Sequence, residues 1–232
     1  MTRSKLSPRD LEVLTAIGRF RMLTRPQVKR WFFEDVSEPV VTRFLERSVR
    51  EGRLGVERLH GNGMQILWLT RRGRDVLVGS GVAAADLFPA TGPAAAKDFA
   101  HTAEIGNTAV WLMKRTPAPD ELLPAWALQR YFGGRLAAIP DLLVLWRKPE
   151  AALAVEVDLG TEPVASVLLP KLSLLGRALR ESLPGEATTI LVLVPSERRR
   201  EAVINGLDGM TVPVIVDVLG RLAGVNSSVK SS

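Results

Sequence analysis

Asp141, Glu156 and Asp158 are the residues of this chain best placed to do chemistry. Each is an acid set in or against a short apolar run. Pro140-Asp141 leads into Leu-Leu-Val-Leu-Trp, and Glu156 and Asp158 close the run Ala-Ala-Leu-Ala-Val-Glu-Val-Asp that begins at Ala151. Both runs have strand length and are rich in Val and Leu, and Lys148, Pro149 and Glu150 supply a turn between them, so they predict an antiparallel pair. Side chains two apart on a strand share a face, which points Glu156 and Asp158 the same way and lets Asp141 reach them from the neighbouring strand. Clustered carboxylates raise one another's pKa unless a cation lies between them. A divalent metal with Asp141, Glu156 and Asp158 as oxygen ligands would remove that cost. The plainer reading is that Glu156 and Asp158 end a strand and Asp158 helps cap the next helix.

The elements around this pair read in an α/β order. His101 to Arg115 predicts an apolar helix and Ala125 to Tyr131 a strand, before the central pair at Asp141 to Trp146 and Leu153 to Asp158. Thr161-Glu162-Pro163 opens a long helix to about Ser182, which Pro170 kinks or restarts. Thr188 to Val194 predicts a buried strand and Ser196 to Gly206 a helix carrying Arg198, Arg199 and Arg200. Val212 to Val218 is a last strand that Pro213 places at an edge. The segment before all this, Gly79 to Lys97, is rich in Ala, Gly and Pro and lacks periodicity, the composition of a linker. Four stretches follow: a domain over residues 1–80, a linker over 81–97, an α/β domain over 98–224 and a frayed tail over 225–232.

The first domain is mostly helical. Ser7-Pro8-Arg9-Asp10 has the form of a helix start, with Ser7 as N-cap. Thr24 and Pro26 open a second helix that buries Val28, Trp31 and Phe32. A third runs from Ser37 to Gly52 with Val41, Phe44, Leu45 and Val49 inward and Thr42, Arg43, Arg47 and Arg50 on its other face. Leu54 to Leu59 and Gln65 to Leu69 predict a hairpin turned at His60-Gly61-Asn62-Gly63, and Thr70 caps a fourth helix.

Composition bounds the function. The chain has 232 residues, 46% of them hydrophobic, with no cysteine and two histidines, so disulfides, thiol nucleophiles and cysteine-rich zinc sites are excluded. No apolar run reaches membrane-spanning length and the first ten residues are polar, so the expectation is a soluble, cytoplasmic protein with no membrane partner. The net charge of +6 is unevenly divided: residues 1–80 hold 16 Lys or Arg against 9 Asp or Glu, and the remainder 15 against 16. The basic first stretch suits a polyanionic partner.

Three helices, a hairpin and a further helix, with Leu69-Thr70-Arg71-Arg72-Gly73 after the hairpin, resemble a winged helix-turn-helix domain. That resemblance makes the third helix the recognition helix. It implies contact with double-stranded DNA through Thr42, Arg43, Arg47, Arg50, Arg53 and Arg58. Pro140-Asp141, Glu156-Val-Asp158 and Lys171 resemble the PD-(D/E)xK nuclease-like fold, a restriction-endonuclease-like α/β domain with a mixed sheet, with the lysine moved from two residues after the Glu to the next helix. His101 with Asn107, the Pro-Asp, the run Glu-Val-Asp-Leu-Gly-Thr-Glu and Lys171-Leu172, behind a winged helix, resemble the replication-relaxation family of plasmid-type proteins. The resemblance implies phosphodiester hydrolysis, with Mg²⁺ or Mn²⁺ held by Asp141, Glu156 and Asp158 and Lys171 as electrostatic partner. Two functions stay open: a DNA-binding replication protein that nicks its site, and a regulator whose nuclease-like domain has lost the chemistry and serves dimerisation or partner binding. A homodimer is compatible with both.

Overall fold

The computed structural model describes residues 6–58, 64–89, 92–93, 96–132, 136–183 and 187–221. The chain divides into two compact units, Met1–Gly106 and Asn107–Ser232. The expected turn at His60 to Gly63, the tail from 225 and parts of the expected linker lie outside the described residues.

In the first unit, α1 (Pro8–Arg19) opens with a capping box: the Asp10 N–H donates to Ser7 Oγ at 3.1 Å and the Ser7 N–H to Asp10 Oδ2 at 3.4 Å. A short β1 (Leu23–Thr24) leads into α2 (Arg25–Phe32), which repeats the device with Thr24 and Gln27. Helix α3 (Glu38–Arg50) follows, and Gly52, at φ +69°, turns the chain into β2 (Leu54–Arg58). Strand β3 (Gln65–Leu69) returns antiparallel to both, in the order β1-β3-β2. Thr70 caps α4 (Arg71–Gly79), accepting from the Gly73 N–H at 3.0 Å. Val13, Leu14, Ile17, Val28, Val41 and Leu77 are fully buried between these elements. At the end of α2 the buried aromatic is Phe33, at 2% exposure, whereas Trp31 and Phe32 are half-buried and stack on each other.

The stretch expected as a linker is partly built into this unit. Leu87 is buried, the Phe88 N–H donates to the Gly18 carbonyl at 2.9 Å, and the Arg74 guanidinium holds the carbonyls of Ala84, Leu87 and Phe88. Helix α5 (Ala96–Met113) begins ahead of His101, and its backbone is engaged by the first unit where Gln27 Nε2 donates to the Ala103 carbonyl at 2.7 Å.

The second unit is a mixed five-stranded sheet. Its strands are β4 (Glu121–Pro124), β5 (Leu142–Arg147), β6 (Glu150–Val157), β7 (Ala187–Val194) and β8 (Val214–Val218), in sequential spatial order. The first three pair antiparallel and the last three parallel. Parallel neighbours need crossovers, here a π-turn over Val164–Leu168 running into α7 (Leu169–Ser182), then α8 (Glu197–Ile204). Ala152 and Ala154 of β6 leave room for Leu168, Leu172, Leu175 and Leu179, which recur at helical spacing and pack with Ile190, Val192 and Val194. Pro170 falls in the first turn of α7, where its missing N–H costs nothing.

Ala125 to Tyr131 is a helix, α6 (Ala125–Phe132), and not a strand. The strand lies just upstream, and the run Ala-Trp-Ala-Leu-Gln-Arg carries strong helix formers and no period-2 alternation. Leu128 is its buried anchor. Pro124, which cannot donate to a ladder, is tolerated because β4 is an edge strand.

Candidate nucleic-acid interface and acid cluster

Helix α3 sorts its polar residues into two groups. Arg43 and Arg50 are exposed, as is Arg58 on β2, so three of the six expected DNA contacts are free to meet a ligand. The other three are held. Thr42 Oγ1 donates to the Glu38 carbonyl at 3.0 Å and accepts from Arg25 Nη2 at 2.7 Å. Arg53 is buried and pairs with Glu51. Arg47 Nη2 pairs with Asp10 Oδ2 at 2.8 Å, tying α3 to the first turn of α1.

Arg25, at the start of α2, is a positioning residue that no motif in the sequence singles out. It donates to Glu38 Oε1 through Nε at 3.1 Å, to Thr42, and to Gln65 Oε1 at 3.4 Å, so it links α2, α3 and the first residue of β3. Lys29 Nζ joins Glu38 Oε2 at 2.7 Å. Hydrogen bonds from Lys29 and then Arg25 hold the Glu38 carboxyl below the usual glutamate range. The hairpin is fixed at its base as well. Thr70 Oγ1 donates to the Gly52 carbonyl at 2.5 Å, its N–H donates to the Arg53 carbonyl, and Gly73 sits so close to that carbonyl that a β-carbon has no room.

These roles separate the arginines experimentally. Arg47→Ala removes the partner of a nearly buried Asp10, so it should cost about 1 kcal/mol in a denaturant titration, a value discounted for the exposure of the guanidinium. Arg43→Ala and Arg50→Ala should each stay within about 0.5 kcal/mol of wild type.

In the second unit the three acids do not converge on one point. Glu156, 2% exposed at the end of β6, pairs with Lys171 Nζ at 2.6 Å. Asp158 lies one residue beyond the strand, where Oδ2 accepts from Arg199 Nε at 2.6 Å and Oδ1 from Arg199 Nη2 at 3.1 Å and from the Gly160 N–H at 2.8 Å. Arg199 also donates to the Glu162 carbonyl. Asp141 Oδ2 accepts from the Val157 N–H at 2.8 Å. Asp141, Glu156 and Lys171 therefore share one neighbourhood, and Asp158 is turned to α8. Asp158 does not cap the helix after Thr161; its second contact is the turn at Gly160.

The acids are engaged by cations of the chain itself. Each buried acid already has a side-chain cation, Lys171 or Arg199, and among the described residues no group of three acids or imidazoles is arranged to hold a metal. Of the three expected ligands, Asp141 and Glu156 lie together beside Lys171, and Asp158 is held by Arg199. The partner of Asp158 is Arg199. It lies 41 residues from Asp158 in the chain, and nothing in the spacing of Arg198, Arg199 and Arg200 distinguishes the inward arginine.

Burial works against the Lys171 ammonium, but the charge and hydrogen bond of Glu156, with Asp141 and Glu162 behind it, outweigh burial and raise its pKa. A raised folded-state pKa contributes stability that is fully present below the unfolded lysine value and is lost as pH rises through the folded value. Alkaline unfolding of wild type should therefore steepen above the ordinary lysine range, and Lys171→Met should flatten that limb.

A helical unit with a β-hairpin and outward arginines, followed by a mixed-sheet α/β unit with compensated acids at its centre, defines a two-unit α/β protein. The chain belongs to the replication-relaxation family, whose sequence profile matches residues 14–173. That span includes Arg43, Arg50, Asp141, Glu156, Asp158 and Lys171 and stops short of Arg199. Among solved structures, a cysteine-to-serine mutant of MarR from E. coli complexed with operator DNA is similar over 32% of this chain and 53% of that chain, at 20% identity and a TM-score of 0.29. The chain thus spans about half the length of that protein. No curated protein matches. No helix among the described residues is long and apolar enough to cross a membrane.

Proposed function

We propose that this member of the family is a duplex-DNA-binding protein in which the first unit acts as a winged helix-turn-helix. Helix α3 is the recognition helix, and β2 and β3 form the wing. The observation that carries this reading is the exposure of Arg43, Arg50 and Arg58 in the stretch of the chain with a net charge of +7, from 16 basic and 9 acidic residues over 1–80. Arg25, Glu38, Thr42 and Arg47 set the pose of the helix without being spent on the ligand. Arginine contacts to phosphate release counterions, so affinity for duplex falls steeply with salt. Binding of the full chain to a short duplex, followed by fluorescence anisotropy as salt rises, tests this. A flat salt response removes the assignment.

The second unit is read as a nuclease-like fold that supplies structure or partner contacts in place of hydrolysis. Its support is the pairing of Glu156 with Lys171 and of Asp158 with Arg199, which puts a cation of the chain itself beside each of these two carboxylates. Supercoiled plasmid incubated with the protein and Mg²⁺ or Mn²⁺ should stay intact, and millimolar Mg²⁺ should leave the melting temperature unchanged. Nicking, or a metal-induced rise in melting temperature, that Glu156→Gln abolishes would restore the hydrolytic reading.

A further inference from the structure

The first turn of α1 and the outward edge of α3 enclose an open groove of about 750 Å³. Arg9, Arg43, Arg47 and Arg50 line it, against the two acids Asp10 and Glu46. Asp10 is already engaged by Arg47 and by the Ser7 N–H, and Arg47 Nε is buried with no acceptor. Phe33 and Phe44 form an apolar floor. The Arg9 guanidinium lies 5.4 Å above the Phe33 ring and that of Arg47 6.0 Å from the Phe44 ring, so both aromatic faces steady cations at the groove edge. The positive end of the α1 dipole adds to the same field.

Resting on the DNA-binding reading above, we infer that this groove is a phosphate-backbone subsite. In it Arg9, carried on α1, neutralises a phosphodiester of the same duplex that Arg43 and Arg50 meet from α3. Two of the groove's arginines are the exposed pair of the recognition helix, so a duplex against α3 brings its backbone past this edge. A small organic ligand would need an enclosed, mostly apolar cavity, whereas this lining is mostly charged and the groove open. A phosphodiester is monoanionic, tolerates a wet site and matches a planar guanidinium. Arg9 is exposed, and its role needs charge and position with no base contact.

The test is the salt dependence of duplex binding by the full chain, measured on two unrelated mixed-sequence duplexes for wild type, Arg9→Ala, Arg9→Lys and the exposed control Arg177→Ala. Removing one phosphate-neutralising charge lowers the slope of log K against log salt by about 0.9. Arg9→Ala should show that drop and weaken both duplexes by the same factor, at an unchanged melting temperature. Arg9→Lys should restore the slope, and Arg177→Ala should match wild type. An Arg9→Ala slope equal to wild type overturns the subsite while leaving the DNA-binding reading intact; absence of duplex binding by wild type overturns that reading, and the subsite with it. Thermal stabilisation by inorganic phosphate over chloride at matched ionic strength, lost in Arg9→Ala with no change in salt slope, would assign the groove to a free anion and also overturn the inference.

Discussion

Replacing Arg43 and Arg50 together by alanine should weaken duplex binding roughly a hundredfold or more, on the basis of about 1–3 kcal/mol for each arginine that meets the duplex. Both side chains are exposed, so the melting temperature should barely move and the weakening can be assigned to the interface. The two single variants need not behave alike. An arginine that reads base edges takes discrimination between sequences with it when removed, whereas one that meets phosphate weakens all duplexes equally and lowers the salt slope. Comparing each single variant on several duplexes separates the roles. An unchanged affinity in the double variant would remove α3 as the recognition element, whatever the fate of the rest of the chain.

The largest stability effect should come from Arg199. Its side chain is 16% exposed and that of Asp158 is 3% exposed, so Arg199→Met strands a carboxylate that water reaches poorly. Breaking a buried pair from one side costs about 3–5 kcal/mol, because the remaining charge keeps its desolvation penalty without its partner. For a unit of this size that is a melting-temperature fall of roughly 10 °C or more. The double variant Arg199→Met/Asp158→Asn should recover much of the loss, since no charge is then stranded. The neighbouring exposed Arg198→Ala should be neutral. Equal losses in Arg198→Ala and Arg199→Met would mean that the helix, and not the ion pair, carries the effect.

Local chemistry explains which features were legible in the sequence. Capping by Ser7, Thr24 and Thr70, the hairpin strands and the β5–β6 pair all follow from signals within a few residues of one another, and the structure contains each of them. The edge position of β8 follows from Pro213 in the same way. The strand expected over Ala125 to Tyr131 is a helix because a short apolar run has no period of its own to tell the two apart, and β4 ends immediately before it at Pro124. The acid cluster was half legible. Period-2 placement puts Glu156 on the face that α7 covers, and Lys171 is there to meet it. Asp158 had passed the end of the ladder, where alternation no longer dictates direction, and its partner sits on a helix beyond the next strand. The Arg47–Asp10 pair was not legible for a related reason: helical spacing shows which residues share a face, and not whether another helix end lies against it.

The clasp between Asp158 and Arg199 also bears on the time course of unfolding. It joins the end of β6 to α8 across 41 residues, with β7 laid down between them, and it draws in the Glu162 backbone as well. Such a contact should close only after β6, α7, β7 and α8 have found their places, which puts it on the late, native side of the folding barrier. Its removal should leave the refolding rate nearly untouched and accelerate unfolding by almost the whole of the forfeited free energy. On that expectation the pair is a latch on how long the second unit stays folded, and its loss should shorten that lifetime without changing how quickly the unit forms.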